Sequence, residues 1–201
     1  MIQGCENTQI DPLPRRALRV SYRTGTAAGA LAEAGTLAVF GFGSGSAAAD
    51  DPRYVRVALE SFDAPVPMEV WQVDAPVNCG TDGALQWSAG GGWLFAAIDL
   101  DEREHGGPSA TARLAYEQLH RFVTAHDMQH VLRIWNYLGA INRGEGDAER
   151  YKHFCDGRAA GMGDFFAEGF PAATAIGHHG DEHRLQVYLL ACDQPGQRVE
   201  N

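Results

Sequence analysis

Nowhere does the sequence approach the roughly 20 consecutive apolar residues that a membrane-spanning helix requires, so no membrane partner is expected. Its first residues, Met1-Ile2-Gln3-Gly4-Cys5-Glu6-Asn7, lack the basic stretch and apolar run of a secretory signal. Cysteine is sparse and scattered: Cys5, Cys79, Cys155 and Cys192 show no C-x-x-C spacing, which reads as reduced, unpaired thiols. Together these absences predict a cytoplasmic protein. Positive charge is short as well, since 26 acidic residues face 16 Lys and Arg for a formal net charge of −10. Such a balance excludes a nucleic-acid phosphate track as the main partner, and an anionic membrane surface with it. One basic pocket for an anionic metabolite is compatible with it.

What is present suffices for one sizeable core, because 45% of the 201 residues are hydrophobic and 21% charged. Residues 1–36 mix Pro, Arg and polar types, with strand-like alternation only at Arg19-Val20-Ser21-Tyr22-Arg23; they read as an N-terminal tail or edge, ahead of a single domain over 37–201. Short β-type runs at 37–42, 54–59, 68–73 and 93–99, bounded by Gly, Pro or Asp, predict an antiparallel sheet. After Pro108, the apolar residues Leu114, Ala115, Leu119, Phe122 and Val123 recur at three- and four-residue intervals, as one buried helix face requires. Residues 130–138 predict a strand, ended by a Gly-rich loop over 139–146. Asp147 predicts the N-cap of a second helix with Tyr151, Phe154, Cys155 and Ala159 on one face and Gly161 and Gly163 weakening its end. Final strands over 172–176 and 185–191 flank a loop. The order predicts an α+β fold, a mixed β-sheet with two main helices packed on one face.

The block from Leu94 to Ala191 resembles the reactive-intermediate deaminase family, with Tyr151, Phe154, Phe170, Pro171, Ala172 and Thr174 at the matching positions. Ala173 stands where that family's deaminase site uses an arginine, so an imine-directed deaminase is the least expected reading. A closer resemblance is to the chorismatases, whose two halves are both similar to the deaminase fold. It is carried by Arg133-Ile134-Trp135-Asn136-Tyr137-Leu138, Ile141-Asn142, Glu149-Arg150-Tyr151, Phe154-Cys155 and Gly157-Arg158. The resemblance implies that the chain is the N-terminal half of a longer enzyme. That enzyme would hydrolyse chorismate to pyruvate and a 3- or 4-hydroxybenzoate or a dihydroxylated diene acid. The catalytic carboxylate and most substrate-binding arginines would then lie in the missing C-terminal half, leaving this half inactive alone. The competing expectation is a non-catalytic deaminase-like module that binds or self-associates into a homo-oligomer.

Chorismate carries two carboxylates and an enolpyruvyl ether, so its hydrolysis needs cations for the carboxylates and an acid for the ether's methylene. Arg133, Arg143, Arg150 and Arg158 are the cations in reach, although pairing with surface Asp or Glu would explain any of them. Tyr151 and Lys152 open the second helix, where a phenol or an ammonium can meet a ligand. Asn136 points away from Trp135 and Tyr137 and is either a buried hydrogen-bonding peg or a ligand contact. The substrate-binding candidates are therefore Arg133, Asn136, Tyr151, Lys152, Arg143 and Arg158. Cys155 reads as an apolar filler. His178-His179-Gly180-Asp181-Glu182-His183 has metal-ligand residues in six positions, but a solvated hairpin tip accounts for them and no metal is expected. Gly41-Phe42-Gly43-Ser44-Gly45-Ser46 lacks the Lys-Ser/Thr of a phosphate loop. No cofactor is implied.

Overall fold

The computed structural model describes residues 17–60, 68–167, 169–178 and 180–196. The N-terminal stretch with Cys5, His179 and residues 197–201 lie outside the described residues.

A strand whose run of apolar side chains is unbroken must be covered on both faces, and the run Trp93-Leu94-Phe95-Ala96-Ala97-Ile98 marks such a strand. Leu94, Ala96 and Ile98 enter one core, Phe95 and Ala97 another. In chain order the elements are β1 (Leu18–Arg23), α1 (Ala27–Ala32), β2 (Thr36–Phe42), β3 (Tyr54–Val57), β4 (Met68–Val73), β5 (Asn78–Asp82), β6 (Leu85–Gly90) and β7 (Trp93–Asp101). They continue with α2 (Pro108–Ala125), β8 (His130–Gly139), α3 (Arg150–Met162), β9 (Ala172–His178) and β10 (Arg184–Cys192). A six-stranded sheet in the order β5-β6-β7-β10-β8-β9 forms the middle layer. On one face lie α2 and α3, burying Ala112, Ala115, Leu119, Val123 and Phe154 against Leu94, Ile98, Ile134 and Leu189. On the other lies a four-stranded sheet, β1-β4-β2-β3, which closes an aromatic core of Phe40, Trp71, Phe95, Tyr137 and Tyr188. Behind that sheet, α1 packs Ala27, Ala30 and Leu31 on Val39 and Val70.

The α+β class and the two main helices on one face are thus as the sequence predicts, while the runs read as one antiparallel sheet divide between two. The division follows from burial: β2 has Leu37, Ala38 and Phe40 in the core between the sheets and Val39 under α1, so it cannot be an outer strand of the central sheet. Two pairings are parallel, β2 with β3 and β8 with β9. The hairpin β5-β6 escapes sequence analysis because β5, Asn-Cys-Gly-Thr-Asp, is nearly all polar and exposed. Residues 18–23, read as a tail or edge, pair with β4 at the margin of the four-stranded sheet.

Three local expectations are corrected. Asp147 lies in a separate single turn, Gly146–Ala148, and the helix proper starts at Arg150 after Glu149. The buried face of α3 is Arg150, Phe154, Gly157, Gly161 and Met162, whereas Tyr151 and Ala159 point outward and Cys155 is half-buried. The loop between β9 and β10 is no hairpin tip, because β8 lies between those strands and the loop crosses its end.

Candidate functional site

Alternation along β8 sends Asn136 toward the helices and Arg133, Trp135 and Tyr137 toward the other face. Asn136 is 1% exposed, and a buried amide must find partners. Tyr116 of α2 donates its hydroxyl to Asn136 Oδ1 at 2.7 Å, and Asn136 Nδ2 donates to the Thr174 carbonyl of β9 at 3.0 Å. Burial pushes the Tyr116 phenol up to about 12, so it remains a neutral donor. The Arg158 guanidinium of α3 lies over the Tyr116 ring, 5.8 Å from its centre. Its Nε is buried with no hydrogen-bond partner among the described residues. Two helical turns earlier, Tyr151 is 37% exposed, and its contact with Cys155 raises its phenol above the ordinary range. The structure therefore gathers three sequence candidates, Asn136, Tyr151 and Arg158, around Tyr116. A cation between neutral phenols is an arrangement able to hold a carboxylate.

Tyr116 was missed by the sequence reading, although it stands four residues after Ala112 and three before Leu119 on the buried face. Replacing it with phenylalanine leaves Asn136 Oδ1 unpaired in a dry place. The expected loss is about 1–3 kcal/mol of stability in urea unfolding, and an unchanged midpoint would show that the bond contributes nothing net.

The other three candidates lie elsewhere. Arg133, on the opposite face of the sheet, donates to Thr174 Oγ1 at 3.0 Å and covers the Trp135 ring at 5.1 Å. Trp135 in turn stacks on Tyr188 with ring centres 5.0 Å apart. Arg143 is paired with Glu182, and Lys152 Nζ donates to the Gly146 carbonyl at 2.7 Å. Arg150, grouped with the arginines in sequence, is consumed by the fold. Its side chain is 11% exposed, it meets Glu102 at 2.8 Å, and it donates to the carbonyls of Gly139 at 3.1 Å and Glu182 at 2.7 Å.

Near Arg143, a cavity of about 340 Å³ is lined by Ala140, Ile141, Asn142, Arg143, Gly177 and His178. His178 is buried, with Nδ1 accepting from the Gly180 backbone N–H at 3.1 Å. Among the described residues, no three His, Cys, Asp or Glu side chains are grouped to hold a metal ion. Cys79 and Cys155 are free thiols, and Cys192 Sγ donates to the Gln194 carbonyl at 2.8 Å. No helix of the described residues is long and apolar enough to cross a membrane.

Comparison with known proteins places this geometry among relatives. The family model described as Chorismatase FkbO/Hyg5-like, N-terminal, matches residues 69–191. A 3-hydroxybenzoate synthase of Streptomyces hygroscopicus is 33% identical over 137 residues, which cover 66% of this chain and 39% of that protein. A solved chorismatase has the same fold, with a TM-score of 0.74 at 23% identity, over 90% of this chain and 55% of that one. A YjgF-family protein from Neisseria meningitidis aligns at a TM-score of 0.43 and 16% identity, over 61% of this chain and 98% of that one. The chain thus spans well under two thirds of the curated relative and of the solved chorismatase.

Proposed function

Since the chain belongs to the FkbO/Hyg5-like chorismatase N-terminal family, we propose that it is the N-terminal part of a cytoplasmic chorismatase. That enzyme hydrolyses chorismate to pyruvate and a hydroxybenzoate, and this part alone does not turn chorismate over. The observation that carries the reading is the family match over residues 69–191, which runs from β4 to β10. In this reading the present half supplies a wall of the substrate pocket and the scaffold for a C-terminal half, which holds the acid that protonates the enol ether.

The side chains support a supporting role. Arg143 and Arg150 face carboxylates, and Lys152 is held by its own loop. Arg133 and Arg158 are the sequence candidates with a cationic head in no ion pair among the described residues, which suits them to a ligand's carboxylates. Ala173, exposed at the start of β9, offers no cation in the place where deaminases use one.

The test is to incubate the 201-residue chain with chorismate beside a form extended through a C-terminal half, following pyruvate and hydroxybenzoates by chromatography. Turnover by the extended form alone is the expected result. Turnover by the short chain would refute the missing acid, and silence in both would favour a non-catalytic binding or self-associating module.

A further inference from the structure

A guanidinium carries five N–H donors, and burying one of them without an acceptor is costly for a charged group. Arg158 does this. Its Nε is buried with no hydrogen-bond partner among the described residues, while the side chain as a whole is half-buried. What it does meet is the ring of Tyr116, with the guanidinium carbon 5.8 Å from the ring centre. An aromatic face attracts both a cation and an unpaired N–H, so the ring offsets part of what Nε lacks.

Glycine makes this contact possible. Gly157 and Gly161, on either side of Arg158, let α3 approach α2 so closely that a Cβ on Gly161 would fall 2.9 Å from Tyr116 Cβ. Tyr116 is fixed in turn: it is buried, its hydroxyl is held by Asn136 Oδ1 at 2.7 Å, and Phe154 meets its ring edge-on with centres 6.5 Å apart. A flexible arginine thus rests on a rigid seat, which lowers the entropy lost when a ligand orders it. With Nε on the buried side, the two terminal nitrogens remain as a fork that matches the oxygens of a carboxylate. Arg133 lies on the opposite face of the central sheet, held by Thr174 Oγ1 and laid over Trp135. A small molecule lies on one side of a sheet, so these two arginines cannot share one ligand.

We propose that Tyr116 is a positioning residue for Arg158, whose terminal nitrogens take one carboxylate of chorismate and leave the other to the C-terminal half. The identity of the ligand rests on the chorismatase reading, whereas the seating of Arg158 by Tyr116 does not.

Two measurements keep these apart. In the 201-residue chain, the NMR signal of the Arg158 Nε–H proton is expected upfield of the free-arginine position. It should stay there in Tyr116→Phe and return to the free position in Tyr116→Leu. Both variants lose the bond to Asn136, so the ring alone distinguishes them. In the form extended through a C-terminal half, KM for chorismate is expected to rise about 10-fold in Arg158→Met and roughly 5-fold in Tyr116→Leu, with kcat per folded enzyme nearly unchanged. Tyr116→Phe should keep KM within about 2-fold of wild type, because the ring remains. Arg113→Met, exposed on α2 where Arg113 pairs with Glu117, is the control and is expected to change neither readout. An unshifted Nε–H signal in the wild type, or equal KM in the Phe and Leu variants, would overturn the role of Tyr116. An unchanged KM in Arg158→Met would overturn the carboxylate site. No turnover by the extended wild type would refute the chorismatase reading and the assigned ligand with it, while the Nε–H signal still decides whether Tyr116 seats Arg158.

Discussion

Replacing Arg150 with methionine is expected to lower the unfolding free energy by about 3–5 kcal/mol, the loss that follows when one partner of a buried ion pair is removed. Glu102 is 2% exposed, and Arg150 is what balances its charge at 2.8 Å. The same guanidinium closes the end of β8 through Gly139 O and the loop before β10 through Glu182 O. A single side chain at the start of α3 therefore ties together three chain segments distant in sequence. An apolar replacement leaves a carboxylate and two carbonyls without their donor. The intact pair need not favour folding over a well-packed apolar pair, because desolvating both charges offsets much of their attraction. The double variant Arg150→Met with Glu102→Leu is accordingly expected to recover most of the loss. Urea unfolding of the three proteins decides it. A single-variant loss below about 1 kcal/mol would mean that water reaches Glu102 and the pair is not a buried one.

Gly157→Ala is expected to destabilise by about 3 kcal/mol, at the upper end for overpacking, although the same change in an exposed helix would stabilise by about 1 kcal/mol. The sign is settled by what the new methyl group meets. A Cβ built on Gly157 falls 2.0 Å from the backbone oxygen of Ser109 and 2.9 Å from its Cα. Those atoms belong to the first turn of α2 and cannot rotate away as a side chain would. One turn on, a Cβ at Gly161 would fall 2.4 Å from the Arg113 carbonyl oxygen. The two glycines form the track along which α2 and α3 touch, so relief requires the helices to separate and Phe154, fully buried between them and the sheet, to lose its packing. Thermal unfolding should show a fall in midpoint of roughly 6–12 °C, taking about 2–4 °C per kcal/mol for a chain of this size. An unchanged midpoint would mean that the helices slide freely.

How far the sequence carries can be seen at these same places. The long helix α2 and the strands β7, β8 and β10 are legible because apolar residues recur with the period that burial imposes. The two-sided burial of β2 was equally present in its run Leu37-Ala38-Val39-Phe40, but a run of four apolar residues does not say which sheet will cover it. The face of α3 was misplaced because its packing surface is made of Gly157 and Gly161, which carry no hydrophobic signal. For the site, the motif residues Asn136, Tyr151 and Arg158 do gather, while Arg133, Arg143 and Lys152, close in sequence, are dispersed by the strand's alternation and by the loop's own ion pairs. Ionic partners such as Glu102 and Glu182 come from positions that no local pattern connects to α3.

Thr174 joins the two faces of the central sheet. Its carbonyl holds Asn136 under the helices, and its hydroxyl holds Arg133 on the side of the aromatic core. Among the described residues, the strand that carries it is the margin of the sheet and is secured along one seam, to β8. Marginal strands secured along one seam open at lower free energy than the interior. When β9 peels away, the amide and the guanidinium lose their anchor in the same event. Hydrogen exchange should then report the amides of β9 around Thr174 as one cooperative unit that opens ahead of β7 and β10.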